Sequence, residues 1–327
     1  MIIEIDGRKP KAPDYAKFTS RDESFYLSAL NASLVGWGAY ERALQHGVQA
    51  LADTFKKDPN HKEIIADCLR PGPARIQSWH FEYLASGLAN MLAKDGDHLE
   101  LVDLRDPEQV KIETQKRVRK DPGIGPSFYE TRIGQSLSDG RLVFRGNVDK
   151  ISGLRGGSVF VEGDVKKIET TGSGIIFVDG DVNIIDEAKQ TIIVITGELG
   201  KYQESRVHHR YALREGSPFI FASKVGEVDN RLYKGQVGSL LELNYPTEVD
   251  LTSMKGWSPA QALEASFDMA RSLATSHAEA VLNFAKGASK AEDLSSYARL
   301  QMLSHIMGYQ LGYTRGELNS VPASVYD

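Results

Sequence analysis

The segment from Glu204 to Tyr211, read as ESRVHHRY, carries the residues best suited to chemistry. If it forms a strand, one face presents four polar side chains together, because alternate residues share a face: Glu204, Arg206, His208 and Arg210. Two arginines beside a histidine suit a phosphate or carboxylate group, with His208 or Glu204 as acid or base. The alternative is a charged strand at the surface or at a contact between domains.

Glu41 is a second candidate for acid–base chemistry. It falls between Trp37 and Leu44 on the apolar stripe of a long predicted helix. A buried carboxylate is costly unless it is paired, so Glu41 either has a cationic partner, lies where the stripe reaches the surface, or is tuned for chemistry. The candidate catalytic residues are therefore His208, Glu204 and Glu41.

Acidic residues also recur beside regularly spaced glycines. In the predicted fold they form outward columns with neighbours about 4.8 Å apart: Glu162, Asp164, Asp179, Asp181 and Glu198. Oxygen ligands this close can hold a cation or dock a basic partner. The alternative is a solvated edge whose repulsion is offset by nearby lysines. Calcium-binding solenoids use a denser Asp-Gly pattern, so no metal site is predicted.

The glycines that set this pattern have one constant spacing, a 17-residue period through Gly146, Gly163, Gly180 and Gly197. The segments around them read LVFRGNVDKI, VFVEGDVKKI, IFVDGDVNII and IVITGELGKY. A short fixed period rich in valine and isoleucine predicts a β-solenoid. Its outward apolar column contains Phe160 and Phe177, and a soluble monomer rarely leaves such a ladder bare. We therefore expect helices, or a partner, to cover these two residues.

The units FVEGDVKKI and FVDGDVNII resemble the rungs of bactofilins, which are polymer-forming cytoskeletal proteins. The resemblance covers about residues 140–202. It implies a right-handed parallel β-helix core and a capacity for self-association. In this chain, four such rungs lie between two sizeable regions that are predicted to be helical.

Helical periodicity dominates the chain before the repeat. One helix is predicted from Thr19 or Ser20 to Phe55, a short one from Asn60 to Arg70, and a third from about Ala74 to Lys94, ending at Asp95-Gly96. The segment from His98 to Lys120 is predicted as two short strands or extended pieces. Residues 121–126, DPGIGP, have the composition of a linker.

After the repeat, strands are predicted at Ser205–Leu213 and Phe219–Ser223. Ser258-Pro259 predicts a helix start, with the helix ending at Gly287 and a second one running from Lys290 to Tyr313. The predicted fold class is multidomain α+β, with a short parallel β-helix flanked by helical regions. The domains are residues 1–126 (mainly helical), 127–202 (β-solenoid) and 203–327 (mixed, ending in a helical hairpin).

Composition narrows the possible functions. The 327 residues carry a net charge of -5, which argues against nucleic-acid binding driven by bulk charge. The single cysteine, Cys68, excludes an internal disulfide. No nucleotide, zinc or hydrolase motif is present, so no cofactor is predicted. No signal peptide or membrane span is predicted, and synthesis in the cytoplasm is expected, with signal-independent export left open.

The sequence therefore predicts a non-enzymatic β-solenoid scaffold or protein-interaction protein that binds a protein partner or itself. One alternative is an enzyme acting on a phosphorylated or carboxylate-bearing substrate at the junction of the solenoid and the C-terminal region. Another is a phage or secreted-effector component that uses the solenoid as a rigid spacer.

Overall fold

A computed structural model describes residues 1–6, 78–120, 130–135, 137–169, 171, 173–186, 188, 191–203, 218–229 and 246–288. The chain divides into two compact units, Met1–Lys167 and Ile168–Asp327. The described residues form an α+β structure whose paired strands are parallel and solenoid-like. The three domains expected from the sequence stay a prediction.

The first unit contains seven strands and two helices among its described residues. In chain order they are β1 (Ile2–Ile5), α1 (Ser78–Lys94), β2 (Leu99–Asp103), α2 (Pro107–Lys120), β3 (Arg132–Ile133), β4 (Arg141–Arg145), β5 (Val148–Ser152), β6 (Arg155–Glu162) and β7 (Val165–Glu169), whose last two residues belong to the second unit. Strands β1, β2, β4 and β6 lie side by side in that order, and β5 lies between β3 and β7.

The register of β4 against β6 follows the glycine spacing. Leu142 pairs with Val159 and Phe144 with Val161, so each residue lies opposite its counterpart in the next repeat. Three consecutive residues of each strand are buried, which is typical of parallel sheets covered on both faces: Leu142, Val143 and Phe144 in β4, and Val159, Phe160 and Val161 in β6.

Helix α1 packs against β2, β3 and β4. It ends at Lys94, as the sequence predicted, because Gly96 adopts a positive φ of 74°. The N–H of Asp97 then donates to the carbonyl oxygen of Leu92 at 2.9 Å, which closes the last turn.

The prediction for residues 98–120 is correct for β2 and wrong for Pro107–Lys120, which form helix α2. Proline suits the first turn of a helix, and the side chain of Asp106 accepts a hydrogen bond from the N–H of Glu108 at 3.0 Å. None of the described side chains of α2 is buried. The apolar periodicity that identifies a packed helix is therefore weak in this segment.

The second unit continues the parallel pairing. Its described elements are β8 (Ser173–Asp179), β9 (Val182–Asp186), β10 (Thr191–Gln203), β11 (Phe219–Asp229), β12 (Thr247–Glu248), a 3-10 helix (Thr252–Met254) and α3 (Pro259–Ala288). The first half of β10 pairs with β8 and the second half with β9, both in the 17-residue register. Strand β11 begins at the predicted Phe219 and extends beyond the predicted end.

Helix α3 begins at Pro259, in agreement with the sequence, and extends through the predicted end at Gly287 to Ala288. The hydroxyl of Ser258 donates to Oε1 of Gln261 at 2.7 Å and accepts from its N–H at 3.4 Å, which caps the helix. Buried Ala262, Ser266 and Ala270 recur at every fourth position on one face. This helix packs on β8 and β10.

Several sequence predictions lie outside the described residues. They are the helices over residues 19–55, 60–70 and 290–313, the linker at 121–126 and the strand at Ser205–Leu213. Among the described helices, none has both the length and the apolar character that are needed to cross a membrane.

The corner after β6 requires glycine. Gly163 has a φ of 146°, and a Cβ placed on it would collide with the carbonyl oxygen of Gly146 on the neighbouring corner. The collision comes from the parallel stacking, in which one corner lies directly on the next. A side chain at this position therefore meets backbone, which cannot move without shifting the strands.

We expect Gly163→Ala to destabilise the protein by about 2–4 kcal/mol, because it adds a backbone collision to the strain of a positive φ. The matched control is Gly96→Ala, since Gly96 also has a positive φ but has open space where the Cβ would lie. The control should lose only about 1 kcal/mol. Urea denaturation measures both losses, and equal losses would contradict the corner collision.

Candidate functional site

Glu82 on α1 is the centre of a buried polar cluster in the first unit. Its side chain is almost fully buried, with 1% of the residue exposed. The hydroxyl of Ser152 donates to Oε1 at 2.7 Å, and Arg132 Nε lies 3.4 Å from Oε2. The backbone N–H of Gln135 donates to the same carboxyl group. Groups from the end of β5 and from the β3 region therefore converge on one carboxyl.

Small and polar residues bring α1 close enough for this contact. Ala85 and Ala89 follow Glu82 at helical spacing and are fully buried. Just beyond Ala89, Asn90 Oδ1 accepts hydrogen bonds from the N–H groups of Ser138, Asp139 and Gly140, at 3.0–3.2 Å. Glu82 and Asn90 thus attach α1 at two points about two turns apart.

Burial raises the pKa of Glu82 from 4.5 to about 7. Arg132, the hydrogen bond from Ser152, Lys150 and the Gln135 N–H all act in the opposite direction and favour the carboxylate. The loss of hydration outweighs them, because an ionised group is costly in a low-dielectric interior. Glu82 therefore titrates near neutral pH.

Cations line the strands beside Glu82. Arg132 on β3 lies directly opposite Lys150 on β5. The pKa of Lys150 is lowered, first by burial and then by the positive charge of Arg132, with Lys167 on β7 acting in the same direction. Glu82 opposes this shift. We call Arg132, Lys150 and Lys167 the cation column.

A carboxyl group with a pKa near 7 beside cations has the properties of a general acid or base. A catalytic group must reach the atom on which it acts. Glu82 is closed off by its neighbours, with 1% exposure. Its contacts in this structure are those of an anchor that joins α1 to β3 and β5.

Sequence reasoning missed Glu82, although a signal was present. Glu82 precedes Ala85 and Ala89 by three and seven positions, so it shares their helix face. The argument that singled out Glu41, a carboxylate on an apolar stripe, applies to it equally. The cation column was missed because Arg132 and Lys150 are paired one position outside the 17-residue pattern.

The predicted acidic residues of the first unit take part in contacts between neighbouring strands and corners of the sheet. Arg145 is paired with Glu162 on β6 and, at 2.6 Å, with Glu100 on β2. The N–H of Asp164 donates to Asn147 Oδ1 at 2.9 Å, one corner to the next. These contacts are cross-strand pairs and corner hydrogen bonds of the sheet.

The predicted acidic residues of the second unit have similar roles in the sheet. Asp181 Oδ1 accepts a hydrogen bond from the N–H of Glu198 at 2.7 Å, and Glu198 is paired with Lys224 at 2.7 Å. Asp179 accepts from the Thr196 hydroxyl at 2.8 Å and from the Gly256 N–H at 2.7 Å. Asp179 therefore fixes the turn that precedes α3 to the strands.

The predicted apolar ladder is buried. Phe160 in the first unit is 1% exposed and Phe177 in the second is 0% exposed. Helix α1 packs against β4 in the first unit, and α3 packs against β8 and β10 in the second. As placed, both phenylalanines are core residues rather than an open surface.

The remaining predicted site residues lie outside the described part of the chain. They are the candidate catalytic residues Glu41, Glu204 and His208, and the binding residues Arg206 and Arg210. The enzyme hypothesis that uses them stays a prediction. Across the residues that the structure does describe, no group of three or more His, Cys, Asp or Glu side chains is arranged to hold a metal ion.

Comparison with known proteins gives no relative of this chain. No protein-family description, curated protein or solved structure matches it significantly.

Glu82 makes the stability of the protein depend on pH in a defined direction. Its pKa is higher in the folded state, so its contribution is fully present below pH 4.5 and is lost as the pH rises to about 7. The shift corresponds to roughly 3 kcal/mol. Glu82→Gln keeps the size and an acceptor oxygen but cannot titrate. We expect its free energy of unfolding to decline less than that of the wild type between these pH values.

Chemical denaturation at a series of pH values measures that difference directly. Groups that do not contact Glu82 titrate alike in both proteins, so their contributions cancel. Parallel curves for wild type and Glu82→Gln would contradict the raised pKa.

Asp179→Ala should loosen the start of α3, because the Gly256 N–H and the Thr196 hydroxyl each lose their acceptor. The expected loss is about 1–3 kcal/mol. Glu264→Ala is the control, since it removes an exposed carboxylate from α3 itself. Hydrogen exchange should show faster exchange in the first turns of α3 only for Asp179→Ala. Equal exchange in both variants would refute the anchoring role.

Proposed function

We propose that this protein is a non-enzymatic interaction protein, in which a short β-solenoid supports a docking helix for a protein partner. In this proposal, the repeated strands within each unit form 17-residue rungs of the bactofilin type. The 17-residue registers between β4 and β6 and between β8 and β10 support it. A cytoplasmic site, which the single cysteine favours, is part of the proposal.

The main support for this proposal is the exposure of helix α2. It has 14 residues, and a helix of that length is marginal in water without a packed face. Val110, Thr114 and Val118 recur at every fourth position and are only half-buried. Lys116, on the opposite side, is exposed, and Lys111 is exposed as well. The helix therefore contributes little to the core and presents a broad face to solvent.

The chemistry of that face indicates the kind of partner. The helix carries five cationic residues against two acids, whereas the whole chain is acidic. Ile112 is 44% exposed in the middle of the basic face, and Leu104, just before the helix, is 57% exposed. Apolar anchors within a charged rim are typical of protein interfaces. The partner that fits is an acidic protein segment with apolar side chains.

The absence of aromatic residues from the sequence of α2 favours a protein over single-stranded nucleic acid, which stacks its bases on aromatic side chains. The whole chain has a net charge of -5, so the excess of positive charge on α2 is local. The basic face is thus a local feature suited to a local acidic surface.

The test uses the full chain and a fluorescent peptide of alternating Glu and Leu as the probe. Lys116→Glu reverses a charge on the proposed face, and Lys255→Glu makes the same change at an exposed site in the second unit. Anisotropy should show binding by the wild type that Lys116→Glu weakens about 5- to 10-fold, as expected for a close charge pair.

Lys255→Glu should bind the peptide as the wild type does. Binding that is absent from the wild type, or equal in the two variants, would overturn the docking role of α2. The variants change exposed residues, so circular dichroism should show the same folded structure in each.

A further inference from the structure

Strand β1 lies at the end of the sheet in the first unit. Among the described strands it pairs with β2 alone, in parallel. The carbonyl oxygens of Met1 and Ile5 accept hydrogen bonds from N–H groups of β2 and of the residue after it, both at 2.8 Å. Because the main-chain groups of alternate residues point to opposite edges of a strand, those of Ile2 and Glu4 point away from β2. The outer edge of β1 therefore presents N–H donors and carbonyl acceptors that no described strand uses.

The sequence of β1 does little to protect this edge. Proteins usually guard an edge strand with proline, a bulge, lysine or a covering element. Strand β1 reads IIEI, and its register with β2 is continuous over all four residues, so it contains neither proline nor a bulge. Within β1, only its shortness and the charge of Glu4 oppose pairing with another chain.

The side chains around Glu4 indicate the chemistry of a segment that would pair there. Glu4 is exposed, and no described residue forms an ion pair with its carboxylate. Ile2, on the same face of β1, is 53% exposed, and Val102, the β2 partner of Glu4, is half-buried. The neighbouring Glu100, by contrast, is paired with Arg145 at 2.6 Å. The face beside the edge therefore combines accessible apolar side chains with a carboxylate that lacks a cationic partner in the described structure.

We propose that the outer edge of β1 binds an extended segment of a partner protein as an added strand, in which basic and apolar residues alternate. Main-chain hydrogen bonds give such pairing its affinity, and alternate side chains give it specificity. A basic residue beside Glu4 neutralises the carboxylate, and its alkyl stem covers Ile2. The apolar residues of the segment continue the opposite face of β1, where Ile3 and Ile5 are buried. This site is separate from α2, and it selects a segment of opposite charge.

The test uses the full chain and two fluorescent peptides, one of alternating Lys and Val and one of alternating Glu and Val. Anisotropy should show saturable binding of the Lys/Val peptide. The Glu/Val peptide should bind about 5- to 10-fold more weakly, because like charges on neighbouring strands repel. Absence of saturable binding, or equal binding of the two peptides, would overturn the proposal.

Backbone methylation of the peptide distinguishes strand addition from general attraction to an acidic chain. N-methyl groups on alternate residues of the Lys/Val peptide remove the donors of one edge and leave every charge in place. The peptide whose methyl groups face β1 should bind about 10-fold more weakly, because it loses its hydrogen bonds to the edge. The peptide methylated on the other edge should bind within about 2-fold of the unmodified one. Equal affinities of the two methylated peptides would rule out strand addition.

Two substitutions at one position make the same distinction in the protein. Glu4→Pro removes the outward N–H together with the charge, and proline is tolerated in an edge strand where the N–H faces solvent. Glu4→Gln removes the charge alone. We expect Glu4→Gln to weaken binding of the Lys/Val peptide about 3-fold and Glu4→Pro about 10-fold or more. Glu264→Gln, which removes an exposed carboxylate in the second unit, should bind as the wild type does.

Equal affinities of Glu4→Pro and Glu4→Gln would contradict main-chain pairing at this edge. Hydrogen exchange tests the edge without any substitution, and it decides the question if Glu4→Pro does not fold. In the unbound protein the amides of Ile2 and Glu4 should exchange faster than those of Ile3 and Ile5, which point to β2. The Lys/Val peptide should slow the exchange of Glu4. Slow exchange of Glu4 without peptide would mean that its N–H is already bonded, and the proposal would then be wrong.

Discussion

Parallel pairing in a 17-residue register is the constraint on which the rest of each unit depends. In such a register each residue lies next to its counterpart in the following repeat. Residues of the same kind therefore form a column across the strands. Apolar positions stack as continuous core, as with Phe144 and Val161. Corners stack as well, which is why a backbone carbonyl occupies the space that a side chain on Gly163 would need.

The same stacking can place like charges next to one another, where they repel. The described residues reduce this repulsion in two ways. Where acids and bases alternate across strands, the column is stabilising: Arg145 lies between Glu100 and Glu162. The acidic corners solve it differently, because their oxygens accept backbone N–H groups, as Asp181 does from Glu198. In the cation column, Arg132 and Lys150 lie directly opposite each other, and the carboxyl group of Glu82 lies beside them.

Whether a feature can be predicted from the sequence depends on how far apart in the chain its residues lie. The 17-residue repeat, the end of α1 at Gly96 and the start of α3 at Pro259 are local patterns, and the structure contains a 17-residue register and both boundaries. Helix α2 was missed because it has no buried stripe to reveal its period. The Glu82 cluster depends on Arg132 and Ser152, which are distant from it in the chain, and no local pattern encodes that meeting.

The contacts of Glu82 also explain how a titrating group can serve as an anchor. An ion pair with Arg132 alone would weaken whenever the carboxyl gains a proton, and burial makes that proton favourable near neutral pH. The Ser152 hydroxyl and the Gln135 N–H, by contrast, donate to the carboxyl group, and a carboxylic acid retains an acceptor oxygen for them. These hydrogen bonds therefore hold α1 whether the carboxyl group of Glu82 is protonated or ionised. The change in its charge alters only the free energy of unfolding. Asn90, which carries no charge, secures the other end of the same helix independently of pH.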